Sequence, residues 1–176
     1  GYNVKHSRLH LLTGTVIAIL SIFLVNAQPL RAWDRDEHFS ITHGGFAVVT
    51  GGNPKGSPPY IIIRGTAAGM NELFGYSAAA FDQTVVFTNP NQINDGKFVF
   101  TAGDGSTLKG VYHGLATPPN AMGFSNGGGP FTISGGTGRF ANARGHGRWT
   151  VTVQLFPPGS NPASTILTRF EGEIER

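Results

Sequence analysis

The chain has 176 residues, including 26 glycines and no cysteine, and its 13 basic residues slightly outnumber its 10 acidic ones. Without cysteine, an exported protein has no disulfide bonds, so packing and backbone pairing must hold the fold together. The excess of positive charge lies mostly at the N-terminus, because Lys5 and Arg8 are two of the basic residues. No basic cluster with interleaved aromatic residues follows, and we therefore expect no nucleic-acid partner.

The first 27 residues have the order of a secretory signal peptide. A basic lead-in precedes an uncharged apolar run over residues 11–25, which ends in the small-x-small sequence VNA. The run is shorter than the roughly 20 apolar residues of a typical membrane-spanning helix, and a retained single-span anchor is the alternative interpretation. We expect cleavage near residue 27 or residue 32, a secreted or periplasmic location, and no membrane contact after cleavage.

Beyond the signal peptide, residues 28–38 are expected to form an N-terminal extension and residues 39–176 one β-domain. Apolar residues recur there with period two, which predicts strands and almost no helix. The expected strands cover residues 39–50, 60–68, 72–88, 97–102, 107–115, 131–134, 148–156 and 164–174. The intervening segments, rich in Gly, Pro and Asn, are predicted loops or turns over residues 51–59, 89–96, 116–130, 135–138 and 157–162.

The strand spacing predicts the fold class. Eight short strands at hairpin spacing favour an all-β fold: a single antiparallel closed β-barrel of about eight strands, with a small sandwich as the alternative. Frequent glycine suits a tightly curved sheet, because glycine tolerates bends and close backbone approach. Closure would also remove the exposed strand edges that promote aggregation.

One hairpin carries a family resemblance. The sequence FTISGGTGRFANARG at residues 131–145 resembles the glycine-rich hairpin of the allene oxide cyclase barrel superfamily, which includes dirigent proteins and many exported bacterial proteins. The segments FVFTAGDGSTLKG at residues 98–110 and FEGEI at residues 170–174 are similar to other parts of that barrel. The resemblance covers residues 60–175 and implies a barrel with a lumen. It also implies self-association, since the plant members form trimers.

The resemblance does not supply catalytic residues. In the plant cyclases an apolar lumen moulds an unstable epoxide with the help of a glutamate, and dirigent proteins use carboxylate, arginine and tyrosine side chains. Neither set matches this sequence residue by residue, so the catalytic residues are unknown and enzymatic activity is left open. Phe140 is expected to fold back over one end of the barrel, with the neighbouring glycines forming a tight turn.

The sequence contains no recognisable metal or nucleophile motif. No HxH pair or HExxH sequence is present, and Ser125 in the sequence GFSNG lies in a predicted turn instead of a nucleophile elbow. No helix follows the glycine-rich hairpin, as a phosphate loop would require. We therefore expect no metal and no cofactor. The histidines beyond the signal peptide are predicted at the surface or at strand ends, and they are His38, His43, His113 and His146.

An eight-stranded barrel is wide enough either to be filled by its own side chains or to hold one small ligand. The aromatic residues predicted to fill or line the lumen are Phe74, Phe87, Phe98, Phe100, Tyr112, Phe131, Trp149 and Phe170. Glu72 and Asp82 lie within strand patterns and could point into the lumen, although an exposed or ion-paired position is the favoured alternative. The predicted polar ligand-binding residues at a mouth are Tyr60, Arg64, Glu72 and Tyr112.

Three functions follow from this interpretation. The first is an exported, non-catalytic barrel that binds a small apolar ligand in its lumen. The second is a cyclase-like or dirigent-like isomerase, which needs an open lumen containing a buried carboxylate or arginine. The third is a structural or surface-interaction domain with a filled core, which predicts a contiguous apolar patch on the outside.

Overall fold

A computed structural model describes residues 37–155 and 163–176 of the chain. The predicted signal peptide, its two cleavage sites and the loop over residues 157–162 lie outside the described residues. The described part contains one 3-10 turn, Gly138–Phe140, and eight strands: β1 (Glu37–Asn53), β2 (Tyr60–Asn71), β3 (Gly75–Val86), β4 (Asn91–Ala102), β5 (Thr107–Ala116), β6 (Phe124–Gly136), β7 (Arg144–Gln154) and β8 (Ala163–Glu175). No helix among these residues is long and apolar enough to cross a membrane.

The eight strands form a closed barrel. Each strand pairs antiparallel with the next along the chain, and β8 returns to pair with β1 from Glu37 opposite Ile174 to Val48 opposite Ala163. Closure gives every strand two hydrogen-bonded neighbours. The expected all-β fold, a single antiparallel closed barrel, is confirmed.

Alternation of side chains separates the interior from the outer wall. In β4, Phe98, Phe100 and Ala102 are buried, while the residues that alternate with them are exposed. Successive side chains of a strand point to opposite faces, so one face of each strand supplies the interior of the barrel. Period two therefore predicted both the strands and their inward faces.

The loop predicted over residues 116–130 is wrong in its second half, because β6 begins at Phe124. The glycines that suggested a loop lie where neighbouring backbones come close together. A β-carbon on Gly129 would lie only 2.1 Å from the carbonyl oxygen of His113. Glycine weakens an isolated strand, but pairing with both β5 and β7 holds this segment extended.

Other strand boundaries also differ from the prediction. Residues 72–74 form a turn, so the long strand expected over residues 72–88 starts only at Gly75. The turn expected over residues 89–96 is mostly part of β4, which contains an irregularity at Asp95. Asp95 has a φ of 54°, a left-handed conformation that aspartate adopts more readily than most residues.

Glycines on the inner face make room for aromatic rings on the neighbouring strand. A β-carbon on Gly110 would lie 2.4 Å from the ring of Phe98, and one on Gly96 would lie 2.6 Å from the ring of Tyr112. These distances are far below van der Waals contact, so the glycines are required by packing. The narrow interior accommodates large rings because small residues lie beside them.

The two ends of the barrel are defined by different connections. The first, which we name the closed end, carries the short connections over residues 72–74, 103–106 and 137–143. The second, the open end, carries the described connections over residues 54–59, 87–90 and 117–123.

Aromatic side chains fill the closed half. Phe140 is fully buried and its ring lies 4.8 Å from that of Phe74, measured between centroids. Above them Phe98 and Phe100 stack at 4.8 Å, and Phe170 contacts both at 5.1 Å. The expectation that Phe140 folds back over the barrel end is confirmed.

Most of the aromatic residues predicted to face the interior do so. Seven of the eight are buried, and the exception is Phe87, which lies just after β3 and is 39% exposed. The interior is therefore aromatic from the closed end up to the level of Trp149.

Candidate functional site

An apolar cavity enters the barrel on the side of the open end. Its aliphatic lining comes from five residues on four strands, which are Ala47, Ile63, Val151, Val153 and Ile166. The space open to the centres of water-sized molecules is about 60 Å³. The lumen is thus filled in its closed half and hollow in its open half.

Aromatic rings form the floor and one wall of the cavity. Phe81 and Phe170 lie nearly parallel at the floor, with centroids 6.0 Å apart. Tyr112 and Trp149 meet edge to face at 4.9 Å in the wall. The indole Nε1–H of Trp149 donates to the carbonyl oxygen of His113 at 3.0 Å, which fixes the ring.

The polar side chains of the lining are Gln83, Tyr112 and Thr168, and none of the described lining residues is charged. The Tyr112 hydroxyl donates to Oε1 of Gln83 at 2.9 Å. Burial, together with the charge of Asp82, raises the pKa of Tyr112 above its usual value near 10. The phenol therefore stays protonated at neutral pH and acts as a hydrogen-bond donor.

Of the four predicted ligand-binding residues, only Tyr112 lines this cavity. Arg64 lies on the outer wall, where its Nε is 3.0 Å from Oδ1 of Asp82. Tyr60 begins β2 at the open end and is 36% exposed. Glu72 lies in the turn at the closed end. The ligand-binding role of these residues stays a prediction, and the structure does not bring the four together.

Glu72 instead lines a polar groove on the outside of the closed end, together with Glu37, His38 and Asn71. This groove is larger than the apolar cavity, at about 330 Å³, and Glu37 is already ion-paired there with Arg176. His38 Nε2 lies 3.3 Å from a carboxylate oxygen of Glu173. Among the described residues, no three His, Asp or Glu side chains come together as a metal site.

Gln83 is one of the polar lining residues that the sequence pattern was not used to identify. It lies on β3 two positions from Phe81 and two from Val85, both of which are buried. Period two therefore assigns Gln83 to the inward face, and this was the signal available in the sequence. The same alternation assigns Asp82 to the outer wall, where it pairs with Arg64.

A buried polar pair lies in the layer below the cavity. His43 is fully buried, contrary to its predicted surface or strand-end position, because it shares the inward face of β1 with Phe39 and Ile41. Its Nε2 is 2.9 Å from the hydroxyl of Ser77, and its ring lies 5.0 Å from that of Phe100. His43 Nδ1 has no hydrogen-bond partner among the described residues. Burial lowers the pKa of His43 to about 4.

Neither a protein-family model nor a curated protein matches the sequence. Solved structures do match. The pterocarpan synthase dirigent protein GePTS1 is 16% identical, with a TM-score of 0.45, over 80% of this chain and 92% of that one. The pterocarpan synthase dirigent protein PsPTS1 is 14% identical, with a TM-score of 0.46, over 80% of this chain and 95% of that one.

Both of these structures are dirigent proteins. At these identities and TM-scores, the similarity assigns neither a ligand nor a reaction to this chain. The site is therefore interpreted from the chain's own residues.

Proposed function

We propose that this barrel binds a small apolar molecule in the cavity on the side of its open end, without acting on it chemically. The observation that supports the proposal is an apolar cavity without charged lining residues, which lies on a rigid aromatic floor. Ligand pockets in proteins are concave and mostly apolar, with a few polar groups that orient the ligand. The cavity has this composition.

The volume of the cavity limits how much of a ligand it encloses. A buried water needs about 10–15 Å³ of such space, so a cavity of about 60 Å³ holds roughly four to six water-sized groups. A small ring or a branched alkyl group fits inside. A longer ligand would extend through the mouth, where the side chain of Val153 is half-buried.

The second function, an isomerase that steers a reactive intermediate, requires a buried carboxylate or arginine in the lumen. The described lining supplies neither, and the Tyr112 hydroxyl is already hydrogen-bonded to Gln83. General acid–base catalysis needs a group that exchanges a proton near the working pH. Binding therefore has better support than catalysis at this site.

The test is thermal unfolding of the purified chain in the presence of a panel of neutral apolar compounds. A compound that binds only the folded protein stabilises it by about 2.7 kcal/mol at 100 times its Kd. Ala47→Leu, which fills the cavity, should weaken binding. The matched control Ala80→Leu places the same side chain on the outer wall and should leave binding unchanged. Failure of every compound to stabilise the protein would contradict the proposal.

A second copy of the chain is the partner that we propose for the outer wall. Phe46 on β1 is 59% exposed and Leu167 on β8 is 56% exposed. Leu167 lies opposite Gly44 in the β1–β8 register, two residues from Phe46, so the two side chains are neighbours on the outside. Large exposed apolar side chains that neighbour one another are typical of an interaction surface.

Sedimentation equilibrium tests this assembly, for which the family resemblance suggests a trimer. Phe46→Lys with Leu167→Lys should reduce the mass to that of a monomer, because a buried cluster of like charges opposes association. Val111→Lys, at an exposed position on β5, is the control and should leave the mass unchanged. A wild-type monomer at high concentration would contradict the proposal.

We also propose that the protein is exported, as its first 27 residues suggest. Expression of the full chain followed by N-terminal sequencing of the protein outside the cytoplasm provides the test. A new N-terminus near residue 28 or residue 33 is expected, and an uncleaved chain retained with the membrane fraction would favour the anchor.

A further inference from the structure

One lining residue, Gln83, has an unused hydrogen-bonding group. It lies on β3 opposite Ile63 of β2, and its neighbours on the inward face, Phe81 and Val85, are apolar. Its side chain therefore brings an amide into surroundings that are otherwise almost entirely hydrocarbon. Burying a polar group in such surroundings is unfavourable unless the group finds a hydrogen-bond partner.

The orientation of this amide is fixed by Tyr112. The phenol donates to Oε1 of Gln83, so the oxygen of the amide is occupied and its Nε2 amino group is the part left to bind a ligand. Tyr112 is itself held, since its ring packs against Trp149 and lies against the backbone at Gly96. The amino group of Gln83 has no acceptor among the described residues. It is a preoriented hydrogen-bond donor.

The electrostatics of the cavity disfavour charged ligands. An anion or a cation in the cavity would have no counter-ion, because the nearby Arg64 and Asp82 pair with each other on the outer wall. Removing an unpaired charge from water is far more unfavourable than removing a neutral polar group. The cavity therefore selects against carboxylates and amines.

We propose that the ligand class is a neutral, largely apolar molecule whose buried part carries an acceptor oxygen, such as the carbonyl of a ketone or ester, that receives a hydrogen bond from Gln83 Nε2. This inference deepens the proposed function and rests on it. The apolar lining binds the hydrocarbon part, and Gln83 determines which neutral molecules are preferred.

The test compares the affinities of two molecules of the same shape, cyclohexanone and methylenecyclohexane, for the full chain by calorimetry. In the wild type both bind, and cyclohexanecarboxylate and cyclohexylammonium bind at least about tenfold more weakly than the ketone. In Gln83→Leu, the ratio of ketone to hydrocarbon affinity should fall by about 3- to 10-fold, the factor for one neutral hydrogen bond. Because the same ratio is compared between the wild type and the variant, the difference in hydration free energy between the two molecules cancels.

A measurement on the wild type tests the proposal even if the Gln83→Leu variant fails to fold. The side-chain amide signals of Gln83 in a nitrogen–proton correlation spectrum should shift with cyclohexanone and stay nearly constant with methylenecyclohexane. If both molecules bind but the affinity ratio and the signals do not distinguish them, the ligand class is wrong and the binding function stands. If neither molecule nor any compound of the apolar panel binds, the proposed function itself fails.

Discussion

The closed and open halves of the barrel are built from the same strands, but one half is a core and the other is a cavity. In the closed half the inward positions of β4 carry Phe98 and Phe100, both almost completely buried. In the open half the inward positions of β1 and β7 carry Ala47 and Val153. Backbone pairing continues through both halves, so the side chains at inward positions, and not a change in strand pairing, decide whether the lumen is filled.

The contact between the two halves predicts a rigid cavity floor. This floor is the upper surface of the aromatic cluster, formed by Phe81 and Phe170, and Phe170 contacts Phe98 and Phe100 below. Rings fixed by neighbouring rings leave a preformed space, and a preformed site binds a ligand without the entropic cost of ordering.

The largest expected effect comes from removing a ring of the closed half. Phe100→Ala should lower the free energy of unfolding by about 3–5 kcal/mol, because the cluster around it cannot collapse into the space. Phe81→Ala, the matched change at the cavity floor, should cost about 1–2 kcal/mol less, since one side of that ring already faces a space. Urea unfolding measures both. Equal losses would show that the halves do not differ in packing.

Lowering the pH should reduce the free energy of unfolding, because His43 is buried in its neutral form. The folded protein binds a proton at this site only near pH 4, whereas the unfolded chain binds it near pH 6.5. The unfolded state therefore binds more protons between these values, and stability should fall by roughly 3 kcal/mol as the pH drops from 6.5 to 4.

Urea unfolding across this pH range separates His43 from the other titrating groups. His43→Gln should lose this part of the pH dependence, while the exposed control His113→Gln should keep it. Parallel profiles for the wild type and His43→Gln would contradict the assignment.

Adding volume should affect the two halves in opposite directions. Ala102→Leu, in the filled closed half, should destabilise by about 1–3 kcal/mol, because overpacking forces strain. Ala47→Leu should be neutral or stabilise by up to about 1 kcal/mol, since it buries apolar surface in an existing space. Thermal unfolding compares the two variants without ligand. Similar destabilisation by both would indicate that the open half is as tightly packed as the closed half.

The smallest effect is expected from the ion pair on the outer wall. Arg64→Ala should change stability by less than about 1 kcal/mol, because exposed ion pairs contribute little. It should also leave ligand affinity unchanged, as Arg64 does not line the cavity. Loss of binding in this variant would support the sequence-based prediction that Arg64 is a ligand-binding residue and move the site to the outer mouth.

The fold could be predicted because the alternation of apolar and polar residues along a strand is a local signal, and it is kept when the strands close into a barrel. Strand β7 is the clearest case, with Trp149, Val151 and Val153 on one face. The start of β6 could not be predicted in this way, since Gly127, Gly128 and Gly129 carry no side chains to alternate. Their extended conformation depends on the neighbouring strands, which a local pattern does not describe.

The site was less accessible from the sequence. Counting by twos from Phe81 assigns Gln83 inward, and counting from Phe39 assigns His43 inward, so both were within reach of the pattern. Glu72 was predicted near a mouth because the turn at residues 72–74 was assigned to a strand. Which half of the lumen is hollow depends on how rings from four strands meet. Predicting that arrangement requires the register between the strands, which the sequence pattern does not give.

The pairing of Gly96 and Gly110 with rings on the adjacent strand has a consequence for the depth of the pocket. Exchanging the ring at Phe98 for a smaller side chain, with Gly110 retained, would deepen the hollow by one layer and leave the hydrogen-bonded framework untouched. A single substitution at an inward aromatic position would therefore change the depth of the pocket without altering the pairing of the strands.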